Sequence, residues 1–330
     1  MQQNSPLIGV LLMNLGTPEA PTPAAVKTYL REFLSDPRVV DVNPWIWKPV
    51  LNGIILNTRP RKVAKVYQEV WMEEGSPLLV LGQRLTDKLA QRLNANQERY
   101  VVAKAMTYGA PSVESAGKLF REKGVEKIFV LPMYPQFSRS TTAAAYDRLM
   151  ASLKRCPHWP ALNLLQDYAD HPRYIEALVQ TIKAQWQEQG EQRHLLFSYH
   201  GVPKRYVTEG DPYQRRCEAT TQAVVAKLGL SESEYTHVYQ SRFGREEWLK
   251  PYADETMRAL PGKGITAINV ISPAFAIDCI ETLEEIDMQL RDEFLAAGGE
   301  RFDYIAALND SADQVALYET LVHENTQHWI

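Results

Sequence analysis

Two groups of residues in this sequence are placed to do chemistry. The first is His200, which follows the apolar run Leu195-Leu196-Phe197-Ser198-Tyr199 and precedes Gly201 and Pro203. An imidazole at the C-terminal end of a buried strand faces the ligand side of an open sheet. Its near-neutral pKa suits proton acceptance or ligation of a borderline metal. The same position would equally suit a partly buried histidine bonded to a loop carbonyl. The second group is the acidic run Asp278-Cys279-Ile280-Glu281, continued by Glu284, Glu285, Asp287 and Gln289. On a regular helix, at about 100° per residue, Asp278 falls about 60° and Glu285 about 40° from Glu281, opposite an apolar face of Leu283, Ile286, Leu290 and Phe294. Such an acidic face is either a solvated surface or a carboxylate cluster that binds or relays a divalent cation. In a cluster, like-charge repulsion raises at least one pKa. Its start, just after a strand that ends at Ser272, favours the cluster. A third stretch runs from Trp45-Ile46-Trp47-Lys48-Pro49 to Thr58-Arg59-Pro60-Arg61-Lys62. Aromatics beside basic residues suit a flat apolar ligand with anionic groups, a lip that touches a membrane, or a helix packed by its tryptophans.

These side chains need strands and helices to hold them. Short apolar runs predict strands at 7–15, 100–107, 127–133, 194–199, 236–241, 265–272 and 304–308, several of them continuous enough to be covered on both faces. Amphipathic patterns predict helices at 23–34, 61–71, 77–93, 113–123, 141–154, 172–189, 211–227, 282–297 and 313–324. Strand–helix alternation means βαβ units, and 330 residues hold two sheets of about four strands each. The expected class is α/β, two Rossmann-like domains, each a roughly four-stranded parallel sheet flanked by helices. The stretch Cys156-Pro157-His158-Trp159-Pro160 marks the expected boundary. Residues 1–157 form the first domain and 158–310 the second, which carries His200 and Glu281. A C-terminal helix at about 311–330 packs back on the first. Ligands of such sheets lie beyond the carboxyl ends of the strands, which singles out 14–18, 134–138, 199–203 and 272–275.

Composition narrows the class further. The 36 basic and 40 acidic residues leave a net charge of −4, against a dedicated nucleic-acid binder. Hydrophobic content of 45% and charged content of 23% are ordinary for a globular chain. Cys156, Cys217 and Cys279 are far apart and form no CxxC pair, so neither a disulfide framework nor a structural zinc site is expected, and a reducing cytoplasm fits. No GxGxxG, GxxxxGK[ST] or GxSxG is present, which removes most nicotinamide enzymes, P-loop NTPases and esterases. His323 and His328 are i, i+5 and diverge on a helix, so they do not make a zinc-protease pair.

At these residues the sequence resembles the ferrochelatase family, and the likeness runs from about Leu7 to about Leu321. It is carried by Leu196-Phe197-Ser198-Tyr199-His200-Gly201-Val202-Pro203 with Gly210-Asp211-Pro212-Tyr213, and by Tyr134-Pro135-Gln136-Phe137-Ser138 with Ser140-Thr141-Thr142. Gln240-Ser241-Arg242-Phe243-Gly244 with Trp248-Leu249, and Asp278 to Leu283, complete it. Several motifs in order are far more specific than any one. The resemblance implies a chelatase-like fold and a lyase that inserts Fe2+ into protoporphyrin IX, releasing two protons, in the last step of haem biosynthesis. It implies that His200 and Glu281 are the catalytic and metal-binding pair, with Asp278 and Glu285 as a supporting acidic face. It implies that Arg59 and Ser76 hold porphyrin propionates, and that Leu15 and Phe275 lie against the macrocycle. It further implies a cytoplasmic protein, monomer or weak dimer, with peripheral membrane contact as one option and no nucleic-acid partner. Fe2+ enters as substrate, and no prosthetic group is implied. Cys279 stands where many members have His, and Gln289 where an acidic residue would extend the ladder. The chain ends at His328-Trp329-Ile330 without the cysteine-bearing extension of some relatives, so the bacterial type lacking an iron–sulfur cluster is expected.

The chemistry explains these residue types. Metal insertion needs a distorted ring, loss of two pyrrole protons and removal of water from Fe2+. A rigid apolar-walled site supplies distortion, and a nearby base accepts protons. Imidazole and carboxylate hold a divalent metal loosely enough to release it, where thiolates would retain it. Two alternatives stay open: a chelatase for another tetrapyrrole or metal, such as coproporphyrin with iron or a corrinoid precursor with cobalt, and a porphyrin or haem carrier without turnover.

Overall fold

The computed structural model of the chain describes residues 7–244 and 246–330. Among the described residues there are eight strands in two sheets, one in each of two compact units. The first unit takes the chain up to Tyr134, then Arg139–Asp167 and Asp310–Ile330; the second takes Pro135–Ser138 and Tyr168–Asn309.

In the first unit the strands are β1 (Ile8–Gly16), β2 (Tyr100–Tyr108), β3 (Lys127–Pro132) and β4 (Ala161–Leu164). They pair in the order β2-β1-β3-β4, all parallel. Nearly every residue of β1 is buried, because helices cover both faces of a parallel sheet and leave no face for polar side chains. The core clusters around Leu11, Met13, Ala105, Phe120, Val130 and Leu149. The C-terminal helix Ala312–Thr326 belongs to this unit. Its Glu319 pairs with Arg92, and its Thr326 hydroxyl meets that of Tyr100 at 3.1 Å.

In the second unit the strands are β5 (His194–His200), β6 (Tyr235–Gln240), β7 (Ala267–Ile271) and β8 (Arg301–Ile305). Their order, β6-β5-β7-β8, repeats that of the first sheet, again all parallel. The core gathers Leu196, Val238, Ile268, Val270, Phe294 and Phe302. In both sheets the chain leaves the first strand toward one side and returns on the other. The crevices where ligands bind therefore lie beyond the ends of β1 and β3, and of β5 and β7.

Several features differ from the sequence expectation: the last strand lies at Arg301–Ile305 and not at 304–308, and the helices Pro44–Val50 and Ala253–Ala259 stand outside the expected set. The first sheet continues past the proline-rich stretch into β4, and the chain passes to the second unit at Asp167–Tyr168, not after residue 157. β4 has four residues, half-buried to exposed, on a sheet edge, so it lacks the apolar run that marks the others. The helix expected at 282–297 is also not one regular helix. It is a turn of α-helix at Ile280–Leu283, a wider π-helical segment at Glu285–Leu290, then Arg291–Ala296. The Gln289 amide reaches back five residues to the Glu284 carbonyl, as a π turn requires.

Gly16 ends β1 with φ +122°, and a Cβ there would lie 1.9 Å from the Tyr108 carbonyl oxygen. Backbone on backbone cannot move aside as a side chain can. Gly16→Ala is therefore expected to lower unfolding free energy by more than about 2 kcal/mol, read by denaturant titration.

Candidate active site

The site in the second unit is built from strand ends. His200 is the last residue of β5 and pairs in register with Gln240, the last of β6. The His200 Nδ1 lies 2.6 Å from the Gly201 carbonyl oxygen. A carbonyl can only accept, so Nδ1 carries a hydrogen, and in the neutral ring the lone pair is on Nε2. The loop-carbonyl bond that would mark a merely structural histidine is thus present, and it also sets the tautomer that a base or metal ligand needs. Gly201 must be glycine: a Cβ there would sit 2.7 Å from the Gln240 carbonyl oxygen and 3.2 Å from the Trp248 ring.

β7 stops pairing with β5 at Ile271, opposite Phe197. The chain then turns through Ser272, whose hydroxyl donates to the Ser198 carbonyl at 2.7 Å. Half-buried Phe275 lies in that turn. The short helix Ile280–Leu283 carries half-buried Glu281, and Glu285 opens the π-helical segment. The Ser241 hydroxyl donates to Glu285 Oε2. Burial raises the Glu285 carboxyl pKa, the Ser241 bond and the His200 charge oppose the rise, and Glu281 adds to it. The charges of His200 and Glu281 thus both bear on the Glu285 carboxyl. Ser241 adopts φ +65°, a left-handed conformation that costs a non-glycine residue about 1–3 kcal/mol, directly at this point.

Asp278 is not part of that acidic face. The helix begins at Ile280, and Cys279 caps it in extended conformation, so the 100° spacing does not reach back to Asp278. Asp278 is 4% exposed. Its Oδ1 accepts from Tyr304 at 2.7 Å and Thr282 at 2.9 Å, and its Oδ2 from Asn309 at 2.7 Å. It is a buried carboxylate that ties the helix start to the loop after β8. Burial pushes the Cys279 thiol well above its ordinary pKa, which keeps it neutral and a poor metal ligand. Gln289 is exposed and bonds to the Glu284 side chain.

The remaining expected contacts lie in the first unit. Leu15, half-buried, is the penultimate residue of β1, at the crevice edge of its sheet. Ser76 is 1% exposed and caps the helix Pro77–Leu93 by accepting from the Leu79 amide at 3.3 Å; its hydroxyl hydrogen remains to be donated. Arg59 is half-buried on the helix Leu56–Val70, and burial lowers its pKa without bringing it near neutrality. The aromatic stretch divides in two. Trp47 packs and donates its indole N–H to the Leu34 carbonyl at 2.6 Å, whereas Trp45 is 87% and Ile46 63% exposed. Gln240 and Ser241 drew no separate attention in the sequence. Their signal was available: Gln240 ends the edge strand β6 and Ser241 follows it, level with His200 at the end of β5.

Among the described residues no three His, Cys, Asp or Glu side chains are gathered closely enough to hold a metal ion, and no helix is long and apolar enough to cross a membrane. The family model described as "Ferrochelatase" matches residues 7–326. The chain is 64% identical over 328 residues to a ferrochelatase of Marinomonas sp., covering 99% of each chain. It is 49% identical over 331 residues to "Ferrochelatase 1" of Shewanella oneidensis, covering 100% of this chain and 99% of that one. Among solved structures it is similar to SirB from Bacillus subtilis with Fe3+, with TM-score 0.57 at 11% identity over 98% of this chain and 97% of that one, a likeness of fold alone.

Asp278 and Glu285 are expected to respond oppositely to amidation. Asp278→Asn replaces one accepting oxygen with a donor that faces existing donors, and should destabilise by about 2–4 kcal/mol. Glu285 has a folded pKa above its unfolded value, so the stability it contributes is full below about pH 4 and is lost as pH rises through the folded pKa. Glu285→Gln should therefore be at least as stable as the parent at pH 7 and gain nothing near pH 4, measured by denaturant melts at both pH values.

Proposed function

The chain belongs to the ferrochelatase family and inserts Fe2+ into protoporphyrin IX to give protohaem, and we propose that His200, Glu281 and Glu285 carry the metal and proton side of that reaction. The observations that support this division of labour are the His200 ring at the end of β5, fixed through Nδ1 by the Gly201 carbonyl, and the Ser241 hydroxyl on Glu285, one residue past Gln240, the register partner of His200. His200 Nε2, its lone pair exposed by the Nδ1 bond, and the Glu281 carboxylate act as the loose ligands of Fe2+ and the acceptors of pyrrole protons. Glu285, whose burial already favours the protonated form, takes a proton onward and away from the metal. Asp278 serves this set by holding the helix start and takes no proton itself.

Porphyrin is bound, in the same proposal, through Arg59 and the Ser76 hydroxyl on its propionates, with Leu15 and Phe275 in contact with the macrocycle. We place the enzyme in the cytoplasm, where its three thiols, two of them buried, stay reduced. Trp45, Ile46 and Ile54, the last 57% exposed, and exposed Lys48, Arg61 and Lys62 all lie on the consecutive helical segments of residues 44–70. This pairing of apolar and basic side chains fits peripheral contact with an anionic bilayer.

Anaerobic insertion assays across pH 6–9 test the division of labour. His200→Ala should abolish turnover while the fold survives. Glu281→Gln should lose at least about 100-fold with porphyrin affinity retained, and Glu285→Gln should be milder. Wild-type turnover and pH profile in Glu281→Gln would leave the acidic residues as surface. Porphyrin anchoring predicts that the dimethyl ester of protoporphyrin binds roughly 10–150-fold more weakly than the free acid, as loss of a charge-assisted hydrogen bond implies. Equal affinity would remove Arg59 and Ser76 from the site. For the bilayer, co-sedimentation with phosphatidylglycerol vesicles should fall in the double variant Trp45→Ser, Ile46→Ser, with insertion of Fe2+ in detergent unchanged.

A further inference from the structure

Gln240 is 2% exposed, yet it is a neutral amide with no chemistry of its own. Each end of its amide makes a hydrogen bond. Oε1 accepts the Ser198 hydroxyl at 2.6 Å, and Nε2 donates to the main-chain carbonyl of Glu281 at 2.8 Å. Its own main-chain carbonyl accepts the Gly201 N–H at 2.8 Å. Gly201 is the residue whose carbonyl orients the His200 ring. One residue thus bonds to the main chain on both sides of the site, to the N–H that follows His200 and to the carbonyl of Glu281. The Glu281 carbonyl, which can only accept, decides which way round the amide faces; Ser198, two residues before His200 on β5, donates to the oxygen so placed, and Ser272 in turn bonds to the Ser198 carbonyl.

We propose that Gln240 is a positioning residue for metal insertion: it ties the strand end of His200 to the helix start of Glu281 and so sets the separation of imidazole and carboxylate. This rests on the roles given above to His200 and Glu281. The need for such a tie follows from the elements. His200 ends a strand, while Glu281 stands on a four-residue helix that runs straight into a π-helical segment. A helix so short has little stiffness of its own, and the β5–β7 pairing that would brace it ends at Phe197–Ile271. Ser241, the next residue, reaches Glu285 in the same manner. A displacement of about 1 Å at reacting groups lowers turnover by up to about 100-fold without touching the binding of the larger substrate.

The test is Gln240→Met, which keeps the side chain's length and removes both amide bonds, together with the milder Ser198→Ala. Anaerobic Fe2+ insertion, porphyrin affinity by fluorescence quenching, and thermal melts are measured on each. Gln240→Met should lower kcat about 10- to 100-fold with porphyrin affinity within about twofold of the parent. In the double variant with Glu281→Gln, the Gln240 substitution should add less than about twofold, because it acts through the carboxylate already removed. A general packing defect would instead lower the melt and multiply with Glu281→Gln. Should Gln240→Met fail to fold, Ser198→Ala decides: a kcat loss of about 3- to 10-fold at unchanged porphyrin affinity is expected. The proposal is overturned by near-parental kcat in the folded variants, or by full multiplicativity in the double variant. If His200→Ala and Glu281→Gln also keep turnover, the assignment beneath it falls as well; if those two lose turnover, only the role of Gln240 falls.

Discussion

Parallel pairing of β5 with β6 and β7 is the constraint on which the second unit's chemistry depends. Parallel strands bring all their carboxyl ends to one edge, and helical crossovers keep that edge free of sheet. The two neighbours of β5 end at different levels. β6 runs level with His200, so Gln240 and Ser241 lie beside it, whereas β7 departs at Ile271, opposite Phe197. On the β7 side His200 therefore has a loop and a short helix for neighbours. A strand there would occupy its main-chain groups in a ladder and leave no carboxylates near the imidazole.

Within that edge, the treatment of charge sorts the acidic residues. Asp278 and Glu285 are seven positions apart, and both are withdrawn from water to some degree. Asp278 receives hydrogen bonds from Tyr304, Thr282 and Asn309, which together replace its hydration. Glu285 receives the Ser241 hydroxyl, with Glu281 as an unfavourable neighbour, and burial shifts it toward the neutral form. A carboxylate satisfied on every side is structural. One that is short of donors is poised to take a proton. Burial of Cys279 as a neutral thiol removes a soft ligand that would hold a divalent metal too firmly for transfer.

The π-helical segment at Glu285–Leu290 is the local device that allows this sorting. Ile286, Leu290 and Phe294 remain buried in the core at a spacing of four, so the apolar face is kept. The widened turn changes the opposite face. It brings Glu285 to Ser241, while Gln289 points to solvent and bonds to Glu284. The left-handed backbone of Ser241 is the strain this arrangement stores, offset by the packing of the sheet on which it stands.

The sequence by itself determined the fold class, the positions of six of the strands and the placing of His200, because buried parallel strands leave apolar runs and punctuated ends that need no partner to be seen; it set the last strand three residues late, at 304–308 in place of Arg301–Ile305. It also determined the family, since several motifs recur in order. It did not disclose β4, a half-exposed edge strand of four residues, nor the passage between units at Asp167–Tyr168. It placed Asp278 on the face of Glu281 by assuming an uninterrupted helix. Only the tertiary structure decided otherwise, because where the helix starts and where it widens depend on Tyr304, Asn309 and Ser241, residues far away in the chain. The tautomer of His200 and the bond from Gln240 to Glu281 were likewise decided by contacts across strands. Periodicity reports which side of an element is buried. What a buried polar group meets there is set by the other elements, and no local pattern encodes it.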